Sequence, residues 1–319
     1  MKPKRLRRVD EIPTLAPRPR DAHKGQMGHV LIIGGSRGLL GAPALAGMAA
    51  LRAGAGLVTL AVPESIHLAT APLCPCATSQ PLPCGRDGEL AAEAVAVAGH
   101  AAESADVLAV GPGFSRGNAQ RLIVQAALEQ TDKPVVIDAD GLNNLAQIDD
   151  WPARRRCPLV LTPHPGEMAR LTGQSTAEIQ ADRVTIAGQM AAEWAAAAEG
   201  GSAAAEDAGD AESAGFPGRP PLVLVLKGEG TVVTDGAQIF INDTGNPGMA
   251  TGGTGDVLTG IIAALIGQGL SPFEAAVLGV HVHGLAGDIA ASDVGEVSLI
   301  ASDLPDYLCD AFMELMGEE

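Results

Sequence analysis

Six short apolar runs constrain this chain more than any other feature: "HVLIIGG", "GLVTLAV", "DVLAVG", "PVVIDAD", "PLVLTP" and "LVLVLKG". Each is rich in Val, Ile and Leu and lacks polar alternation, the pattern of a strand covered on both faces. Helix-like segments separate most of them, such as "PALAGMAALRAG", with Pro43 early and Gly54 at its end, and the alanine-rich "IAGQMAAEWAAAAEG". Strands alternating with helices predict an α/β fold, a mostly parallel central sheet flanked by helices on both faces. The pattern changes after Lys227. "TVVTDGAQIFIN" reads as two short strands around Asp235 and Gly236, an antiparallel hairpin that closes the sheet.

Glycine-rich clusters follow the strands, at the carboxyl ends where open α/β sheets bind ligands. "IIGGSRGLLGAPALAG" does not match the G-x-G-x-x-G register, and no G-x-x-x-x-G-K-[ST] occurs, so neither a dinucleotide fingerprint nor a Walker loop is supported. "GGTGD" places Gly252, Gly253, Thr254 and Gly255 where a helix opens, with unpaired N–H groups and the helix dipole favouring an anion. Asp256 then falls in the first turn. It is placed to take a proton from a hydroxyl that attacks phosphorus, or simply to favour a helix start.

Other strand ends offer further candidates. "VLKGEGTVV" puts Lys227, Gly228, Glu229, Gly230 and Thr231 between two strands, as a nucleotide contact or as a turn with a solvated lysine. "LTPHPGEMARLTG" brackets His164 with prolines that stiffen a ligand-facing loop, or a plain one. In "AVGPGFS" and "VIDADGLN", Gly111 and Gly113 allow close approach, while Asp138, Asp140 and Asn143 offer polar groups to a ligand, a metal, a turn or a helix cap. His281 and His283 lie two apart on a predicted helix, hence on different faces, and read as core or cap histidines.

Charge narrows the function classes. A formal net charge of -17 argues against a nucleic-acid surface, which needs clustered Lys and Arg. The basic start "MKPKRLRRVDEIPTL" lacks the apolar core of a secretory signal, and no apolar run is expected to reach the roughly 20 residues of a membrane span, so a cytoplasmic protein without membrane partners is expected. Five cysteines, odd in number, disfavour a disulfide framework, and the spacing of Cys74, Cys76 and Cys84 fits no standard zinc pair. One domain over residues 1–319 is expected, with inserted loops at 72–88, rich in Pro and Cys, and at 199–221, rich in Ala, Gly and acidic residues.

Taken in order, these motifs resemble the ADP-dependent (S)-NAD(P)H-hydrate dehydratase family of the ribokinase-like superfamily. The resemblance runs from "LAPRPRDAHKGQMGHVLIIGGSRGLLGA" through "VGPGF", "VIDADGLN", "LTPHPGEMARL", "VLKGEGTVV" and "NPGMATGGTGDVLTGIIAAL" to "GVHVHGLAGD". It implies a repair enzyme that restores NADH and NADPH from their hydrates, NADHX and NADPHX, using ADP and releasing AMP and phosphate. Phosphorylating the ring hydroxyl turns it into a good leaving group. Asp256 would be the base; Ala42, Gly113, His164 and Asp256 would contact the hydrate; Lys227, Gly228, Glu229, Gly230, Thr231 and Gly255 would contact the nucleotide. Mg2+ would bridge the phosphates on ligands the motifs do not name. Many relatives carry a fused epimerase; the first strand begins too early here for one, so a separate NAD(P)H-hydrate epimerase is the expected partner, and a homotetramer the expected assembly. The rival readings are an ATP-dependent kinase acting on a vitamin-precursor alcohol and an adenine-nucleotide sensor without turnover.

Overall fold

The computed structural model describes residues 6–130, 132–198 and 219–317. Its strands are β1 (Arg7–Arg8), β2 (His29–Ile33), β3 (Leu57–Pro63), β4 (Thr78–Leu82), β5 (Val107–Val110), β6 (Val135–Ile137), β7 (Leu159–Leu161), β8 (Leu222–Leu226), β9 (Val232–Thr234) and β10 (Gln238–Ile241). All ten form one sheet in the order β1-β10-β9-β8-β7-β6-β5-β2-β3-β4. Pairing is parallel from β8 through to β4, as the helical crossovers require, and antiparallel for β8–β9 and β9–β10.

Residues in the central strands alternate between two cores. Val30, Ile32, Val136, Val223 and Val225 pack on one face, against helices Gly41–Arg52, Thr254–Gly267 and Pro272–Val294. Leu31, Ile33, Val135, Ile137, Leu222 and Leu224 pack on the other, with helices Asn118–Glu129 and Arg183–Ala197. Both faces are dry, which is why these strands read as unbroken apolar runs. The chain reverses its direction of travel across the sheet between β2 and β5, bringing the loops after these two strands side by side.

Two expectations need correction. The segment 72–88 is not simply an inserted loop: Thr78–Leu82 pairs in parallel with β3 as the edge strand β4, and Cys74 is buried. Its Pro81 is tolerated because an edge strand needs its hydrogen bonds on one side only, and its polar residues hide it from a search for apolar runs. The antiparallel β9–β10 hairpin is present as expected, and β1 adds in parallel outside β10. Helix Pro272–Val294 is, by length and composition, apolar enough to cross a membrane, with a mean hydropathy of 1.2; in the fold, 61% of that stretch is buried within the protein, as a core helix. The expected insertion at 199–221 lies outside the described residues except for its last three positions.

Candidate active site at the carboxyl edge of the sheet

A cavity of about 1200 Å³ opens where the carboxyl ends of β6, β7, β8 and β10 meet the start of helix Thr254–Gly267. Gly253 caps that helix with φ 103°, a left-handed turn that swings the chain into the helix and leaves the first amides facing the cavity without backbone partners. A Cβ on Gly255 would stand 3.0 Å from Lys227 Nζ, so glycine keeps the space before the lysine clear. A Cβ on Gly260 would stand 2.0 Å from the Ala46 carbonyl oxygen, so glycine also lets this helix lie close against helix Gly41–Arg52. The result is a positive helix end aimed into a cavity, with Asp256 in its first turn.

The charges are tied across three elements. Lys227 Nζ, at the end of β8, donates to Asp138 Oδ1 at 2.5 Å, and Thr259 Oγ1, on the helix, donates to Asp138 Oδ2 at 2.8 Å. Asp138, at the end of β6, is 1% exposed, so both its oxygens need such donors. Burial pulls the Lys227 ammonium down, but the Asp138 and Glu167 carboxylates more than reverse this, and it is held above its usual range. Asp256 moves the other way: burial, then repulsion from Asp138, pushes it up to about 7 despite Lys227. Burial likewise lifts Glu167 to about 7. A carboxylate that exchanges its proton near neutrality suits a general base.

The other expected residues fall in two groups. Lys227, Gly228, Glu229, Gly230, Thr231, Gly255 and Asp256 all line the cavity. The turn from Lys227 to Thr231 is closed by Thr231 Oγ1 donating to the Gly228 carbonyl at 2.8 Å, and Arg183 fixes its base by donating to the carbonyls of Leu226 and Lys227. His164 also lines the cavity, and it caps helix Pro165–Thr172: its Nδ1 accepts from Gly166 N at 2.9 Å while Glu167 Oε2 accepts from His164 N at 2.9 Å. Burial and the charge of Lys227 lower its proton affinity, which favours a neutral ring with the proton on Nε2. Ala42 and Gly113 do not line this cavity. They meet each other instead: a Cβ on Gly113, whose φ is 63°, would stand 3.0 Å from Ala42 Cβ. Helix Gly41–Arg52 links them to the site through Leu45, whose Cδ1 would be 2.8 Å from a Cβ on Gly253.

Several residues in or beside the cavity escaped the sequence reading. Glu167 carried a signal, the H-P-G-E spacing of a capping box, while Thr259 carried none because it reads as helix interior. Residues 242–247 and His283 also line the cavity. His283 Nε2 bonds the Thr254 carbonyl at 2.9 Å, a tie between two helices inside the site rather than a helix cap. His281 does not reach the cavity. Among the described residues no three His, Cys, Asp or Glu side chains converge as a metal site. A smaller cavity of about 340 Å³, near helices Ala94–Glu103 and Asn118–Glu129, is lined mainly by alanine and aliphatic side chains and holds none of these groups.

Comparison with known proteins identifies the family. The chain is 46% identical over 293 residues to a bifunctional NAD(P)H-hydrate repair enzyme Nnr of Moorella thermoacetica, covering 91% of this chain and 50% of that protein. It therefore spans about half the length of the bifunctional relatives it matches. An ADP-dependent (S)-NAD(P)H-hydrate dehydratase of Neisseria meningitidis is 34% identical, over 90% of this chain and 86% of that one. Among solved structures, an ADP/ATP-dependent NAD(P)H-hydrate dehydratase of Bacillus subtilis, co-crystallised with ATP/Mg2+, superposes with a TM-score of 0.75 at 29% identity, covering 94% of both chains. The ribokinase-like fold expected from the sequence is the fold of these structural neighbours. The profile of the NAD(P)H-hydrate dehydratase family matches residues 30–198 and 218–309, stepping over nearly the whole expected insertion. On that match and these identities, the chain belongs to the NAD(P)H-hydrate dehydratase family.

Proposed function

We propose that this protein dehydrates (S)-NADHX and (S)-NADPHX to NADH and NADPH with MgADP as phosphoryl donor, releasing AMP and phosphate. The observation that carries this reading is the meeting of Asp256, Lys227 and the open amides of helix Thr254–Gly267 in one cavity. Asp256 takes the proton from the ring hydroxyl, and the freed oxygen attacks the terminal phosphorus of ADP. Lys227 and the amides hold the charge that gathers on the phosphoryl oxygens. The P–O bond to AMP breaks as the new one forms. The C–O bond of the phosphorylated ring then breaks with loss of a ring proton, restoring the double bond and expelling phosphate. His164, Ala42 and Gly113 serve as hydrate contacts, and the turn Lys227–Thr231 carries the adenine nucleotide.

The test is absorbance at the reduced-nicotinamide band after mixing protein, magnesium and purified S-NADH hydrate with ADP, ATP or neither. Recovery that requires ADP is expected; recovery with ATP alone would reassign the donor, and no recovery from folded protein would overturn the reaction. Interconversion of the R and S hydrates belongs in this proposal to a separate epimerase, so a brief incubation with an epimer mixture should consume only the S fraction.

A further inference from the structure

The stretch "GVHVHGLAGD" supplies no group to the proton or phosphoryl transfers, yet it lies within helix Pro272–Val294 and puts Val280, His283 and Gly284 on the cavity wall. Gly284, Gly287 and Asp288 are spaced three and four apart, so they share one helix face. Against that face lies the segment 242–250, which runs from the end of β10 toward the glycines that open helix Thr254–Gly267. A Cβ on Gly284 would stand 2.7 Å from the Thr244 carbonyl carbon, and a Cβ on Gly287 would stand 2.8 Å from Met249 Cγ. The two glycines are recesses in which the segment lies.

Four hydrogen bonds tie it there: Thr244 Oγ1 donates to the His281 carbonyl at 2.9 Å, Gly245 N to Asp288 Oδ2 at 2.8 Å, and Asn246 Nδ2 to Asp288 Oδ1 and to the Gly287 carbonyl, both at 2.9 Å. Gly245 takes φ 105°, and Asn246 Oδ1 accepts from Gly248 N at 2.9 Å, so the Asp288 carboxylate holds a left-handed turn and the short helix Pro247–Met249 that follows it. Residues 242–247 line the cavity; Asp288 stands behind them, outside its lining. At its start the segment is bonded to the Lys227–Thr231 turn, Asn242 N donating to the Thr231 carbonyl at 2.9 Å. At its end it leads into the amides of helix Thr254–Gly267. A wall that joins the turn proposed for the adenine nucleotide to the amides proposed for its phosphoryl oxygens is the wall along which the donor would lie.

We propose that Asp288 is a positioning residue for the phosphoryl donor, holding Gly245 and Asn246 against the helix so that the wall between nucleotide turn and phosphate amides keeps the shape that MgADP binds. The inference rests on the dehydratase reading for its ligand and adds to it a residue that acts from behind the site.

The experiment measures calorimetric binding of MgADP and of NADH, and kinetics on the S-hydrate of NADH, for wild type, Asp288→Ala, Asp288→Asn and Gly284→Ala. Asp288→Ala should raise Kd and KM for MgADP about tenfold, the order of one charge-assisted hydrogen bond. KM for the hydrate, Kd for NADH and kcat at saturating MgADP should stay near wild type. Asp288→Asn keeps the volume and one acceptor oxygen, so it should fold normally and fall between the two. Gly284→Ala pushes Thr244 off the helix instead of releasing Asn246, and it should weaken MgADP with the same selectivity. Unchanged MgADP affinity in folded Asp288→Ala and Asp288→Asn, or equal losses for MgADP and NADH, would overturn the assignment. Selective loss of MgADP binding beside a wild type that shows no turnover would keep it and reject the dehydratase reading; normal turnover with unchanged affinities would do the reverse.

Discussion

Two cations lie at opposite ends of β8, and the difference between their partners separates scaffold from site. At the amino end, Arg155 is fully buried and its Nη1 donates to the carbonyls of Cys157, Pro220 and Pro221 at 2.9, 2.8 and 3.1 Å. Burial pulls this guanidinium down to about 10, and its Nε and Nη2 have no partner among the described residues. At the carboxyl end, Lys227 faces carboxylates across an open cavity. Carbonyls cannot change charge, so the amino end keeps one arrangement at any working pH. Carboxylates can, so the carboxyl end can exchange protons near neutrality, as the proposed reaction requires.

That comparison is tested most sharply at Asp256. Asp256→Asn should lower kcat about 10³-fold, the usual worth of a general base, with MgADP affinity by calorimetry nearly unchanged. A sensor would keep its nucleotide response in that variant and show no turnover in either form. Arg155→Leu tests the other end: stability to urea should fall by about 3 kcal/mol while kcat per folded molecule holds. A large loss of kcat there, with stability intact, would erase the distinction. Asp138→Asn should cost about a hundredfold in kcat, because Lys227 and Thr259 lose their common acceptor.

Proton linkage gives a finer test. With Asp256 at about 7, turnover should fall about tenfold per unit as pH drops below neutrality. Stability should run the other way. The folded protein holds a proton that the unfolded chain releases from its ordinary 3.8, so this group works against the fold as pH rises from there to about 7. Asp256→Asn should therefore melt above the wild type at pH 8, with the gap closing toward pH 4. The smallest effect is expected for His164→Ala, which loses a helix cap worth about 1 kcal/mol and raises KM for the hydrate about threefold. Kinetics identical to wild type would remove His164 from the site.

Much of this was legible in the sequence, for physical reasons. The strands β2, β3, β5, β6, β7 and β8 showed as apolar runs because both sheet faces are dry. The edges β1 and β4 did not, since Arg7, Arg8, Ser79 and Gln80 join through backbone bonds that leave no hydropathy pattern. Asp256 and the Lys227–Thr231 turn were legible as residues of one cavity because glycine density marks backbone kept open at strand ends. The Asp138–Lys227 and Asp138–Thr259 ties, spanning 89 and 121 residues, form only when β6, β8 and the following helix stand side by side. No local pattern records such a meeting.

The outermost pairing of the sheet has a consequence for biosynthesis. Arg7 lies against Gln238, so the first strand cannot dock until its partner has been translated. At typical ribosome speeds that interval is roughly ten to fifty seconds, during which β1 has nowhere to go. The hairpin it covers and the helix carrying Asp256 emerge at about the same time, after all the parallel strands from β2 to β8, so the proposed nucleotide site is completed late in synthesis. Ligand present at the ribosome can therefore assist only the last act of folding, after most of the core has closed.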